Sequence, residues 1–337
     1  MRLPEPRGPL TAALTHDLAT RPTVSARTAE IAEQVVAGVD DALADDDLQL
    51  ALASCYELHY RGFDGVSDDW EWEPGLLQLR AGLERAHLAA LHRVAGPMTP
   101  TDESIDRQIT ALIDADDSPS LSSYMAKQGT AEQWREYLTL RSVYHLKEAD
   151  PHTFAIPRLS GRAKAAMVEI QADEYGGGSA ARMHSELFAG LLRDLGLDAG
   201  YGALWDEAPA AAFASVNTMS LFGLHRRWRG AALGHLTAVE MTSSEPSRRY
   251  SAGLRRLGHG ERTTVFYDEH VEADAVHEQI ASVDMCGSLV AEEPELAADV
   301  LFGAACSLAM DGLAASHLLT AWEAGHSALY RERALAA

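Results

Sequence analysis

The chain is short of cysteine, of basic charge, of long apolar runs and of strand-forming segments, and each shortage closes off a class of protein. Its three cysteines, Cys55, Cys286 and Cys306, stand far apart with no C-x-x-C among them. Neither a disulfide framework nor a zinc knuckle is written here, and a reducing compartment is expected. Lys and Arg number 28 against 50 Asp and Glu, a net charge of −22 that repels nucleic-acid phosphates and anionic membrane faces. No nucleic-acid or membrane partner is therefore expected. The longest apolar stretch, Val300 to Met310, is about half of the roughly 20 residues a membrane helix needs, and Asp311 ends it. The opening residues, MRLPEPRGPLTAAL, carry prolines and charges where a secretory signal needs an apolar segment, which points to the cytoplasm. Only Thr263 to Tyr267, TTVFY, has β-branched and aromatic bias, and it is too short to found a sheet without partners.

What is present is helical. The 337 residues are 47% hydrophobic and 23% charged, the balance of an ordinary globular chain with ample length for a core. From Ser25 onward apolar residues recur at three- and four-residue intervals, as in Ile31, Val35, Val36, Val39 and Leu43, and helix-favouring residues dominate. The fold class read from this pattern is all-α. An acidic, glycine-bearing segment at Asp64 to Pro74 interrupts it, as do Gly96-Pro97 and Thr99-Pro100, so a boundary is expected near residue 100. The expected organisation is a tail over 1–24, a helical region over 25–100 and a helix bundle over 101–337. Beyond residue 100 the pattern predicts helical stretches near 104–115, 130–148, 160–175, 180–195, 208–244, 247–257, 268–286 and 292–330, some of them kinked or subdivided.

Familiar catalytic motifs are missing. Gly176-Gly177-Gly178 neither follows a strand nor precedes Lys-Ser/Thr, which excludes P-loop and Rossmann geometry. Ser185 sits in H-S-E-L, far from a nucleophile elbow. The histidines are more informative. In His270-Val-Glu-Ala-Asp274-Ala-Val-His277, three metal-capable side chains fall at about 0°, 40° and −20° around one helix, so they share a face. Imidazole with carboxylate suits iron, manganese or zinc, and helix bundles collect such faces into dimetal sites. The plainer alternative is a solvated polar face with two surface histidines.

Upstream, Glu174 and His184 flank the triple glycine. On an unbroken helix they would lie roughly 80° apart in azimuth and about 15 Å apart along the axis, too far for one ion. Either the glycines break the helix and bring the two together, or each residue serves a different part of a two-metal centre; otherwise the glycines are a helix C-cap and His184 an interior histidine. Glu240 stands alone on an apolar, small-residue helix, where an unpaired buried charge is costly and a metal would relieve the cost, unless the helix end is exposed. Glu84/His87 and Glu323/His326 also satisfy E-x-x-H, and Glu57/His59 adds a third pair, but short pairs arise readily by chance.

The ordered series Glu174, His184, Glu240, His270-x3-Asp274-x2-His277 resembles the heme-oxygenase-like diiron oxidases and oxygenases, the iron-containing redox enzymes. The intervals of 56 residues from His184 to Glu240 and 30 from Glu240 to His270 are similar to those of N-oxygenating members. Asp-Glu-Tyr-Gly-Gly-Gly resembles the family's D-E-x-G-x-G segment, and the flanks from Tyr56 to Phe63 and from His317 to Glu323 resemble actinobacterial members. The likeness covers roughly residues 45 to 330. It implies a seven-helix heme-oxygenase-like bundle with an N-terminal helical extension, forming a homodimer. It further implies two iron ions on Glu148, Glu174, His184, Glu240, His270, Asp274 and His277, with no catalytic residue apart from these ligands. Glu148 enters as an additional carboxylate: four carboxylates and three neutral imidazoles balance the four positive charges of two ferrous ions. O2 would be co-substrate, an external electron donor is compatible, and a peroxo-diferric species would oxidise a small molecule. The implied reaction is N-oxygenation of a small amine or amino-acid-derived substrate in biosynthesis. Oxidative C–C or C–N cleavage of an amino acid or fatty acid is the alternative within the family, and a non-catalytic iron-binding helical protein the alternative outside it.

Overall fold

The structure, a computed structural model, describes residues 1–330 and, within them, every side chain except those of residues 272–276. Helix formers fill the intervals between proline and glycine breaks, and the described residues form helices joined by turns, without a strand. The first are α1 (Pro9–Thr20), α2 (Ala26–Gly38), α3 (Asp46–Glu57), α4 (Pro74–Ala95), α5 (Ile105–Asp114) and α6 (Leu121–Lys127). They are followed by α7 (Ala131–His145), the short α8 (Asp150–Thr153), α9 (Gly161–Glu174), α10 (His184–Asp194) and α11 (Ala210–Leu224). The chain continues through α12 (Arg229–Arg256), α13 (Glu261–Gln279), α14 (Ser288–Glu292) and α15 (Ala297–Glu323). Local chemistry sets many of the starts. Asp45 caps α3 through the Leu48 amide, and Thr130 with Gln133 forms a capping box at α7.

Several elements depart from the sequence pattern. Residues 1–24, expected as a tail, contain α1, whose Leu10, Leu14 and Leu18 are buried. One apolar cluster runs from Leu10 to Met310, joining residues on both sides of position 100. The expected helix over 208–244 is two helices, parted at His225 to Trp228, whereas 229–256 is continuous through Pro246. Pro246 removes the N–H that the Thr242 carbonyl would accept, and the helix tolerates this because α6, α13 and α15 hold it on several sides. TTVFY lies inside α13, where Phe266 and Tyr267 are buried, so packing overrides strand propensity. A π-helical stretch, Ile280–Gly287, follows α13 directly.

The centre of the bundle is the contact of α12 with α15. A Cβ on Gly234 would lie 1.8 Å from the Val300 carbonyl oxygen, and one on Gly303 would lie 2.0 Å from that of Ala231. Backbone thus meets backbone, which only glycine permits. The α15 helix is long and apolar enough to cross a membrane by length and composition, yet just over half of its most apolar stretch is buried in the bundle. Beside this pair, α13 packs against α12 and α10, and so three helices that carry candidate ligand residues lie together.

Candidate metal centre

The described candidate ligand residues reach the interior by several local devices. His270 and His277 lie two turns apart on α13, and Glu240 points inward from the middle of α12. Glu174 ends α9 and His184 begins α10. Between them Gly176 has φ of 69°, and a Cβ there would lie 2.6 Å from the Arg182 carbonyl carbon. This turn folds the chain back so that His184 Nδ1 comes within 3.0 Å of Glu174 Oε2. Glu148 follows the end of α7, held in place by Ala149 at φ of 74°, the one non-glycine residue with positive φ among those described.

Two trios result. Ligand-capable atoms of Glu148, His184 and His270 lie within 4.8 Å of one another, and so do those of Glu174, Glu240 and His277. The Glu174–His184 approach joins the trios: the helix breaks at the glycines, and its two flanks lie in adjacent groups. All six side chains are buried. Asp274 lies outside the described residues.

The polar bookkeeping inside this cluster is incomplete. Glu148 Oε2, His184 Nδ1 and His277 Nδ1 are buried without a hydrogen-bond partner among the described residues. His184 Nδ1 and His277 Nδ1 approach carboxylate oxygens at 3.0 and 3.3 Å, but neither contact is aligned as a hydrogen bond. Orphaned donors and acceptors that converge in this way fit a cation placed between them. Three buried carboxylates with no Lys or Arg among their ion pairs to described residues add a second reason, since uncompensated charge is costly to bury. Burial pushes the Glu240 carboxyl up. At Glu148 burial acts the same way, but His145 and His270 outweigh it and hold the carboxyl well below the usual range.

Outer partners orient the ligands. The Phe266 carbonyl, 2.7 Å from His270 Nδ1, can only accept, so that nitrogen carries the proton and Nε2 faces Glu148 at 3.8 Å. His277 Nε2–H donates to Asp173 Oδ2 at 3.0 Å, which leaves Nδ1 toward Glu240. His145 Nδ1 donates to Glu148 Oε1 at 2.6 Å. Asp173 and His145 escaped the sequence reading. Their only signal was adjacency, Asp173 beside Glu174 and His145 three residues before Glu148.

The other Glu/His pairs singled out in the sequence lie elsewhere. Glu84 accepts from Tyr56 and pairs with Arg80 and His225, while His87 sits between Gln49 and Thr218. Glu323 and His326 are exposed. Glu57 pairs with Lys147, and His59 faces Glu71.

Burial alone would push the His277 imidazole down, but Glu240 and Asp173 outweigh it and bring its pKa up to about 9. The bound proton therefore stabilises the metal-free protein fully below the ordinary imidazole value of about 6.5. That contribution is lost as pH rises through about 9. A metal ion needs the neutral ring and competes with this proton. Ferrous or zinc affinity of the metal-free protein is expected to rise by up to about tenfold per pH unit from pH ~7 to ~9, then level off. Calorimetric titration across that range, in buffers of different ionisation enthalpy, measures both affinity and proton release. Affinity that stays flat over the window would remove His277 from the ligand set.

Comparison with known proteins places these residues in a family. Residues 135–312, more than half of the chain, match the iron-containing redox enzyme family, and the match spans Glu148 through His277. The chain is also 24% identical over 217 residues to a nitrosourea synthase from Streptomyces achromogenes subsp. streptozoticus. That alignment covers 63% of this chain and 46% of the relative, so the chain spans about half the length of the curated protein it matches. Its all-α, heme-oxygenase-like bundle and its buried Glu/His clusters are compatible with iron binding. The chain belongs to the iron-containing redox enzyme family.

Proposed function

We propose that this chain is a non-heme diiron oxygenase that uses O2 to oxidise a small amine or amino-acid-derived substrate at nitrogen. The observation that carries the reading is the pair of buried carboxylate–imidazole trios joined through Glu174 and His184. Glu148, His184 and His270 would hold one ion, and Glu174, Glu240 and His277 the other. Asp274 stays in the proposed set on its spacing between the two α13 histidines. Two ferrous ions bound there would supply electrons and open positions for O2.

The chain's own part is to bind, orient and shield. A cavity of about 330 Å³ borders Glu148, Glu174, Glu240 and His270, a volume suited to a small molecule. Tyr144, Tyr250, Phe266 and Tyr267 contribute aromatic walls that limit water. Placing one oxygen atom in an N–H bond sends the other to water and takes two electrons and two protons, so an external donor belongs to the proposal. The similar nitrosourea synthase is named for a product with oxygenated nitrogen, which supports nitrogen as the atom oxidised. The reading also takes the chain as a cytoplasmic homodimer whose partner is a small molecule.

Anaerobic ferrous titration followed by rapid mixing with oxygenated buffer tests this. Uptake near two irons per chain is expected, with O2 consumption and a transient visible absorption whose decay quickens with a substrate amine. Stable iron binding without O2 consumption, with or without candidate amines, would make the chain a storage or scaffold protein instead. Absence of iron binding would overturn the ligand set itself.

A further inference from the structure

The cavity beside the candidate centre carries one feature the metal chemistry does not use. Among the described residues lining it, Arg141 is the one Lys or Arg, amid several carboxylates. It projects from α7 one turn before His145, and its side chain is 30% exposed. Its Nε donates to His145 Nε2 at 3.0 Å, and Nη1 donates to Asp311 at 3.3 Å. Nη2 makes no hydrogen bond to the described residues, so most of the five guanidinium N–H groups are available. Asp311, on α15, is 60% exposed. An ion pair this open contributes little, and a ligand can displace or share it at small cost.

The surroundings favour a ligand of one kind. Tyr137 and Tyr250 stack at 4.9 Å, Tyr250 and Tyr267 lie 5.2 Å apart, and all three line the cavity with Arg141. This aromatic wall gives flat apolar surface next to a planar fork that matches a carboxylate through two N–H groups. Asp311 beside the fork supplies the opposite charge. Arg141 is separated from Glu148 by one imidazole ring and two hydrogen bonds, so a molecule held at the exposed end reaches the buried ligands with a short chain.

We infer that Arg141 and Asp311 grip the carboxylate and ammonium of an α-amino acid, whose side chain extends toward Glu148 and His270. This names the substrate class for the oxygenase reading and rests on that reading for the reaction, though not for the binding. Both residues are binding residues, without a part in the redox step.

Binding can be measured on the metal-free protein by calorimetry with each proteinogenic L-amino acid in turn. At least one is expected to bind more tightly than about 1 mM, and its decarboxylated amine to bind at least about tenfold more weakly. R141M should weaken that amino acid by about 100-fold, with R141K intermediate. D311N should weaken the amino acid about tenfold and leave its deaminated acid unchanged. Thermal unfolding of each variant checks that the fold is retained. Equal affinity of R141M and the parent, or of amino acid and amine, overturns the inference, as does a panel with no member tighter than about 1 mM. Amino-acid binding without iron uptake would sink the oxygenase reading alone, whereas iron and O2 chemistry with unaltered R141M binding would sink this inference alone.

Discussion

Replacing Glu174 by alanine is expected to cost the protein both ions, lowering iron from about two per chain to well below one and O2-dependent turnover by at least about 1,000-fold. The reason is position. Glu174 belongs to one trio, and its Oε2 lies 3.0 Å from His184 of the other, so its loss withdraws charge and a donor atom from both. Iron content after anaerobic reconstitution and desalting measures the effect. H326A is the control, because His326 is exposed and remote from the cluster, and it should keep full iron. In the metal-free state the sign reverses. Removing a buried carboxylate relieves repulsion, so metal-free E174A should unfold at equal or higher urea concentration than the parent. An E174A protein that retains two irons would show that the centre does not depend on this carboxylate.

A second large effect is expected one residue before Glu148. Lys147 Nζ pairs with Glu57 Oε2 at 3.2 Å, with side chains only 2% and 0% exposed. Tyr201 donates to the same carboxylate oxygen at 2.9 Å, and the ammonium lies 4.1 Å from the Tyr60 ring centroid. K147M strands Glu57 as an unpaired buried charge, at a cost of about 3–5 kcal/mol in urea unfolding. The double variant K147M/E57Q removes the charge as well and should recover most of that loss. If K147M alone stays within about 1 kcal/mol of the parent, the two groups do not act as a charge pair.

Much of this arrangement is legible in the sequence. Three- and four-residue apolar spacing identified an all-α chain, and the seven-residue step from His270 to His277 placed both rings on one face, because a regular helix converts spacing into direction. The resemblance to diiron oxygenases supplied the order of the remaining ligand positions. Glu148 was beyond spacing rules, since Ala149 turns left-handed and ends the helical register there. Asp173, His145 and Arg141 were invisible for a related reason: each matters through a partner brought near by the fold, and no periodicity encodes such an approach. The gap between the expected helices 208–244 and 247–257 closes in the structure at Pro246. A proline reads as a stop, yet packing carries α12 past it.

The backbone contact between α12 and α15 also has a consequence in time. Ala231 and Gly303 are some seventy residues apart, so at about 5–20 residues per second the ribosome makes one partner on the order of 4–14 s before the other. Through that interval the small-residue face of α12 lacks the α15 wall it closes against, and the cavity it borders stands open to solvent. Closure of the bundle around α12 therefore waits until α15 has been synthesised.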